Sequence, residues 1–120
     1  MDYDLPSIAE WFHGHYQPYI ALGIKMGEFA MRLLEAERHE LLVTAETGTK
    51  PTFSCMTDGL QLVTGCTVGN GRLKVLEKGT LAATFSKDDK KIRVVAKEFR
   101  FDMDHITKTD PEGLFSWEWK

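Results

Sequence analysis

Residues 18–37 read PYIALGIKMGEFAMRLLEAE and show a clear helical period. We predict a helix that begins at Pro18, because the missing N–H of proline would have no partner in the first turn, and that extends to Glu37. Apolar side chains recur at helical intervals along one stripe of this segment: Ile20, Ile24, Met31 and Leu34.

Small residues line another strip of the same helix. Gly23, Gly27 and Ala30 are four and three residues apart, so this strip carries almost no side chain. Because such a surface lets a second backbone approach closely, we expect a second helix to pack there. Packing within one subunit and a dimer seam both use such strips, and we favour packing within one subunit.

The remaining segments alternate between helical and extended patterns: a helix over 5–12, a strand over 40–47, a helix over 55–64, and extended runs over 73–78, 80–86 and 91–101. Ile8, Trp11 and Phe12 would form the apolar side of the first helix, which Gly14 would end.

Ser54 would cap the later helix and Gly65 would end it. In the tail, Phe115, Trp117 and Trp119 would cover a sheet edge or a neighbouring subunit. Together the patterns predict one α+β domain over 1–120, with a mostly antiparallel sheet, a long N-terminal helix and a second helix packed on one side.

Composition narrows the class of protein. The chain has 120 residues and a 42% hydrophobic content, enough for one packed domain. Its 15 Lys and Arg are spread among 18 acids, which argues against nucleic acid as a partner. The acidic start MDYDLPS lacks the features of a signal peptide, and charges interrupt the apolar stretch 19–34, so we expect no membrane span and a cytoplasmic location.

Two histidines precede the long helix in the stretch FHGHYQP. His13 and His15 flank Gly14, whose flexibility lets both rings turn toward one point. Neutral imidazole is a good ligand for zinc, copper, nickel or iron, but two donors need at least one more to hold a metal firmly. A capping or surface histidine pair is the alternative interpretation.

Cys55 falls at the predicted start of a helix, where the helix dipole lowers a thiol pKa and favours a metal ligand or a nucleophile. Asp58, one turn later, could orient a histidine or receive its proton. Cys66 lies eleven positions after Cys55, about 16 Å along a helix, so one metal cannot bridge the two in that geometry. Cys66 either swings back, serves another site or a second subunit, or is packed. A buried, inert cysteine is the alternative at both positions.

The residues considered so far belong to two longer motifs, FHGHYQPYIALGIKMG at 12–27 and SCMTDGLQLVTGCTVGNGRL at 54–73. They resemble the core domain of the FmdE family, named after the FmdE subunit of formylmethanofuran dehydrogenase. In that family a His-Gly-His-x-Cys-Pro-Gly helix start precedes a Cys-x-x-Asp-x-x-Gln helix that ends in Thr-Gly-Cys-Thr-x-Gly-x-Gly. The resemblance covers nearly the whole chain.

The resemblance implies an α+β core that pairs into a homodimer and binds a metal, commonly zinc. The metal ligands it implies in this chain are His13, His15, Cys55 and Cys66, with Asp58 and Gln61 as polar companions. Family members often append a cysteine-rich zinc finger, and this chain stops before one.

Three positions depart from the family pattern. Gln17 stands where the family has a cysteine, Tyr19 replaces a glycine, and Asn70 replaces the lysine of a Gly-Lys-Gly loop. A neutral amide is a far poorer zinc ligand than a thiolate, so the site implied by the resemblance is altered here.

The family name does not by itself give this chain a redox activity. Reduction of carbon dioxide onto methanofuran, a methanogenesis-related reaction, requires a pterin metal centre and iron–sulfur clusters, and two cysteines are too few for a cluster. We therefore expect a metal-binding dimeric protein, an accessory or orphan relative of the FmdE subunit, which could join a larger oxidoreductase complex.

Two alternatives stay open. One is a small enzyme in which the Cys55 thiolate or metal-bound water attacks a substrate, with His15 or Asp58 moving protons. The other is a haem or cofactor pocket formed by a histidine and nearby aromatic residues: Trp11, Phe12, Tyr16 and Tyr19.

Overall fold

The computed structural model describes residues 4–14, 17–97 and 102–120. In chain order the elements are α1 (Leu5–His13), α2 (Pro18–Leu34), β1 (Leu42–Ala45), α3 (Cys55–Thr64), β2 (Leu73–Val75), β3 (Ala82–Lys87), β4 (Lys90–Ala96), α4 (Met103–Lys108), α5 (Pro111–Leu114) and β5 (Phe115–Trp119). The predicted α+β class is confirmed. None of the helices in these residues is long and apolar enough to span a bilayer.

The five strands form one sheet in the order β2-β1-β3-β4-β5. The β1–β3, β3–β4 and β4–β5 pairs are antiparallel, whereas β1 and β2 are parallel. The sheet is therefore mixed rather than mostly antiparallel as predicted. The parallel pair arises because the chain leaves β1, passes through α3 and returns as β2, and such a crossover brings a strand back in the same direction.

The long helix α2 begins at Pro18 as predicted. Gln17 caps it, because the side-chain oxygen Oε1 accepts the backbone N–H of Tyr19. The helix ends at Leu34 rather than at Glu37, since Glu35 adopts a left-handed backbone with φ of 52°. A left-handed residue turns the chain out of the helix and often marks its C-terminus.

Helices α2 and α3 pack backbone to backbone along the predicted strip of small residues. A Cβ on Gly23 would overlap the carbonyl oxygen of Met56, and a Cβ on Gly59 would overlap that of Ile20. The strip thus packs against a second helix of the same subunit, which confirms that interpretation.

The helices cover one face of the sheet. Val43, Phe85, Ile92 and Val94 point from three neighbouring strands into the same apolar core as α2 and α3. Because side chains alternate along a strand, the residues between them lie on the opposite face. The predicted packing of both helices on one side of the sheet is confirmed.

Three local predictions need correction. Ser54 precedes α3 but makes no side-chain capping hydrogen bond. The strand predicted over 40–47 spans only Leu42–Ala45. The tail, predicted to cover a sheet edge or a neighbouring subunit, is itself a strand of the sheet: β5 pairs along the edge of β4, and Trp117 contacts Phe29 of α2 edge-to-face at 5.0 Å between ring centroids. The predicted run 91–101 is described only to residue 97, so its end lies outside the described residues.

An ion pair between the buried Glu46 carboxylate, which directly follows β1, and Arg93 of β4 links these strands on the face of the sheet away from the helices. Both carboxylate oxygens of Glu46 accept hydrogen bonds from Arg93, at 2.8 and 2.9 Å. The Glu46 side chain is buried, and the hydrogen bond from Arg93 lowers the pKa of its carboxyl group.

We expect Glu46→Gln to lower the free energy of unfolding by about 2 kcal/mol near neutral pH, because Arg93 loses a charged partner. A carboxyl with a lowered pKa in the folded state stabilises the protein above its unfolded pKa, and this contribution disappears as pH falls through the folded pKa. Urea unfolding across pH checks this: the difference from wild type should close in acid. The control Asp104→Asn removes an exposed pair with Lys108, away from Arg93, and should change stability by less than about 0.5 kcal/mol.

Candidate functional site

Helices α2 and α3 begin at the same end of the molecule. Gly23 of α2 lies against Met56, near the start of α3, and Gly27 lies against Val63, near its end. The two helices therefore run parallel, which places the N-terminal residues of both at one end. Helix α1 reaches this end too, because Ala9 packs into the apolar cluster shared by α2 and α3 and His13 follows one turn later on the same face.

His13 and Asp58 meet at this end. Nδ1 of His13 lies 2.5 Å from Oδ2 of Asp58, and the histidine side chain is 14% exposed. A carboxylate can only accept, so Nδ1 carries the proton and donates it. This tautomer puts the ring's lone pair on Nε2, the nitrogen able to coordinate a metal.

Cys55 is buried at the first position of α3, one turn before Asp58. Burial raises the pKa of the Cys55 thiol, the negative charge of Asp58 raises it further, and hydrogen bonds from the Gln17 side chain and from the Cys55 backbone oppose both effects. The prediction that the helix start lowers this pKa is therefore wrong. The sequence could not show how deeply the thiol is buried beside an acid.

A buried thiol with a raised pKa should be a slow nucleophile. We expect Cys55 in the metal-free protein to alkylate with iodoacetamide more slowly than free cysteine at pH 7–8, and its rate to rise at higher pH than that of free cysteine. Mass spectrometry of peptides after timed alkylation measures this. A rate of alkylation faster than that of free cysteine near neutral pH would contradict the structure. It would favour the alternative in which the Cys55 thiolate is the nucleophile of a small enzyme.

In the sequence, Gln17 is notable only because it departs from the family pattern. In the structure its side chain lies at the start of α2 and beside Cys55. Its Oε1 caps α2, and its side chain lies close enough to the Cys55 thiol to favour the thiolate and lower the pKa of that thiol. Only its position directly before Pro18 hints at capping. The contact with Cys55 joins residues far apart in the sequence, so no local pattern could reveal it.

Cys66 is not brought together with His13 or Cys55, the two other predicted ligands that the structure describes. It follows the C-terminal end of α3, is fully buried, and its Sγ donates to the carbonyl oxygen of Leu41 at 3.1 Å. The chain does not swing back toward Cys55 after Gly65.

The other histidines lie apart from this end or outside the described residues. His15 belongs to 15–16, which the structure does not describe. His39 is exposed near the end of α3, and His105 lies in α4, with Nδ1 3.4 Å from the hydroxyl of Thr109. Within 4–14, 17–97 and 102–120, no three His, Cys, Asp or Glu residues form a group that could hold a metal.

Among the described residues, the aromatic side chains proposed for a haem pocket do not form one cluster. Trp11 is 86% exposed and Phe12 is 52% exposed, which corrects their predicted place on the apolar side of α1. Tyr19 instead packs against Phe53 at 5.7 Å between ring centroids. These two line an open cavity of about 360 Å³ with the loop that follows β1. Tyr16 lies outside the described residues.

Comparison with known families places these residues in a wider group. The sequence model of FmdE, described as "Molybdenum formylmethanofuran dehydrogenase operon", matches residues 12–116. This chain belongs to the FmdE family. The matched segment contains His13, Cys55, Asp58 and Cys66, and it supports the resemblance drawn from the sequence.

Two individual proteins resemble this FmdE chain. A 90-residue segment is 40% identical to a probable S-adenosyl-L-methionine-binding protein of Archaeoglobus fulgidus and covers 72% of this chain but 25% of that protein. The chain thus spans about a quarter of the length of that curated relative. The crystal structure of a tungsten formylmethanofuran dehydrogenase FmdE-like protein from Syntrophus aciditrophicus matches with a TM-score of 0.72 at 22% identity, over 92% of this chain and 67% of that one. This second match shows that the fold is shared.

Proposed function

We propose that this FmdE chain is a metal-binding module in which His13, His15 and Cys55 hold one transition-metal ion, zinc before others. The observation that carries the proposal is the contact between His13 Nδ1 and the Asp58 carboxylate. Histidines that bind metals almost always donate their other ring N–H to a carboxylate, a carbonyl oxygen or water, which fixes the ring and makes the ligating nitrogen more basic. The His13–Asp58 pair has this arrangement.

The donor set fits a transition ion in part. Imidazole nitrogen and cysteine sulfur are the ligands that zinc prefers, and the Cys55 thiol lies near Asp58, the partner of His13. A bound cation would lower the Cys55 pKa and offset the effect of burial. His15 is the third donor we propose, on its spacing of two residues from His13.

Two residues stay outside the proposed ligand set. Gln17 offers an amide oxygen that already caps α2, and amides are poor zinc ligands. Cys66 lies beyond the far end of α3, where it donates to a backbone carbonyl. An ion held by His13, His15 and Cys55 would supply Lewis-acid chemistry to a ligand bound beside them.

The wider setting follows from the family. We propose that the chain forms a homodimer and serves as an accessory or orphan relative of the FmdE subunit, with a larger oxidoreductase complex as its partner where one is present. A cytoplasmic location suits a buried thiol that must stay reduced in order to bind metal.

Metal analysis of the purified chain tests this function. We expect dialysed protein to hold about one zinc per chain by inductively coupled plasma mass spectrometry, and stripped protein to rebind one equivalent on titration. Asp58→Asn keeps the shape of the side chain but removes the carboxylate, and it should weaken zinc binding roughly 10- to 100-fold. Protein that holds no stoichiometric metal, before or after loading, would exclude the proposal.

S-adenosyl-L-methionine binding is a second candidate, supported by the name of the Archaeoglobus relative. The matched segment is a quarter of that protein, so the ligand in its name could bind to another part of it. The open cavity beside Tyr19 and Phe53 offers space near the starts of α2 and α3. Isothermal titration with S-adenosyl-L-methionine, with and without zinc, separates the two candidate functions. A heat of binding that is present in the wild-type chain and lost in Phe53→Ala would favour S-adenosyl-L-methionine binding.

A further inference from the structure

We propose that Gln61 is a positioning residue that fixes the Asp58 carboxylate, and through it the His13 ring, with respect to the loop of residues 65–72. The effect of Gln61 on metal affinity rests on the proposed function, whereas its effect on the orientation of the His13 ring does not. The proposal follows from three consecutive hydrogen bonds that join the loop to the candidate site.

The orientation of the Gln61 amide is set by a group that can only donate. The backbone N–H of Val68 donates to Gln61 Oε1 at 3.0 Å. The amide NH₂ of Gln61 must then point the other way, and it donates to Asp58 Oδ1 at 3.3 Å. The loop therefore dictates which end of Gln61 faces the acid.

Asp58 uses both of its oxygens. Oδ1 accepts from Gln61 while Oδ2 accepts from His13 Nδ1. A carboxylate held at both oxygens has little freedom to rotate, and it presents Oδ2 to the histidine in one orientation. Loss of a residue that orients a ligating histidine in this way typically weakens metal affinity roughly 10- to 100-fold.

The conformation of the 65–72 loop is fixed by hydrogen bonds from the side chain of Asn70 to the loop backbone. Its Oδ1 accepts the backbone N–H groups of Thr67 and Arg72 at 2.9 and 3.0 Å, and its Nδ2 donates to the carbonyl oxygen of Gly65 at 2.8 Å. These bonds hold the Val68 N–H in place against α3. The lysine that the family pattern has at position 70 could not make both kinds of bond, because an ammonium group only donates.

A simpler role for Gln61 would be to attach the loop to α3 with no influence on Asp58. Two variants separate these roles. Gln61→Met has a similar shape and loses both hydrogen bonds. Gln61→Glu still accepts from Val68 but turns a carboxylate oxygen toward Asp58, so it keeps the attachment of the loop and replaces an attractive contact with the acid by a repulsive one.

The test uses the full chain and two readouts. In metal-free protein, proton NMR follows solvent exchange of the His13 Nδ1–H, which the bond to Asp58 protects; both variants should speed this exchange roughly tenfold. In competition with a chromophoric chelator, both should weaken zinc binding by up to about tenfold, less than Asp58→Asn does, because Gln61 acts on His13 only through Asp58. Glu112→Gln is the control, since Glu112 is exposed and pairs with Arg32 of α2 rather than with α3 or the 65–72 loop, and it should change neither readout.

Wild-type exchange in Gln61→Glu would overturn the proposal, because attachment of the loop would then be the whole role of Gln61. Unchanged zinc affinity in both variants would overturn it as well. If the wild-type chain binds no zinc, the proposed function fails on its own, and proton exchange still decides whether Gln61 positions His13.

Discussion

Cys55→Ser is expected to abolish stoichiometric zinc binding while the chain stays folded. Structural zinc sites with four ligands bind with about 10–16 kcal/mol, so an equal share per ligand is roughly 2.5–4 kcal/mol, or about a hundred- to a thousandfold in affinity. Cys55 is the thiol nearest to the His13–Asp58 pair among the described residues, at the first position of α3. Chelator competition measures the loss, and circular dichroism with urea unfolding checks the fold.

Cys66→Ser is the matched control for this experiment. A serine hydroxyl can donate to the carbonyl oxygen of Leu41 as the Cys66 thiol does, so the variant preserves the contact beyond the far end of α3. Zinc affinity should stay within about threefold of wild type. An equal loss in both cysteine variants would contradict the ligand assignment and would favour a site that includes Cys66, such as one shared with a second subunit.

The histidines are expected to act together with Cys55. His13→Ala removes the ring that Asp58 orients, and His15→Ala removes the donor proposed from spacing. Each single variant should lower zinc affinity, and the double variant should bind no measurable zinc. A double variant that binds zinc as wild type does would move the metal site elsewhere in the chain.

Gly59→Ala is expected to cause the largest loss of stability. The added methyl group would overlap the carbonyl oxygen of Ile20 and lie 2.9 Å from the backbone nitrogen of Ile24. Backbone atoms of a packed helix cannot turn aside as a side chain can, so α3 would have to move away from α2. Overpacking of this kind costs about 3 kcal/mol or more, a large part of the total stability of a small domain.

Gly69→Ala is the control for this variant. The nearest heavy atom to its added Cβ is Thr67 Oγ1 at 3.8 Å, which is ordinary contact, so stability should change by less than about 0.5 kcal/mol. Urea unfolding followed by circular dichroism compares the two. If Gly59→Ala stayed within about 1 kcal/mol of wild type, the close approach of α2 and α3 would be wrong. The shift of α3 expected in Gly59→Ala should also displace Asp58 from His13 and weaken zinc binding.

The sequence revealed the two main helices and their contact because both signals are local. Helical period and a strip of small residues survive without any tertiary context, which is why the start of α2 and the bounds 55–64 of α3 agree with the structure. The early end of α2 was missed because Glu35 adopts a left-handed backbone that its residue type does not announce. The parallel β1–β2 pair was missed because a three-residue strand has too little pattern to fix its direction.

The candidate site was predictable only where spacing along one helix decides geometry. Asp58 lies one turn after Cys55, so its approach to a histidine could be anticipated. The sign of the Cys55 pKa shift could not, because burial and the distance to an acid depend on tertiary packing. The contacts of Gln17 and Gln61 were hidden for the same reason, since each joins separate segments of the chain.

X-ray absorption spectroscopy of the chain loaded with one zinc tests the central claim most directly, because it reports the atoms bound to the metal. We predict a mixed first shell with imidazole nitrogen at about 2.0 Å and one sulfur at about 2.3 Å, and the loss of that sulfur in Cys55→Ser. A first shell without sulfur in the wild-type chain would contradict the claim that His13 and Cys55 share one metal.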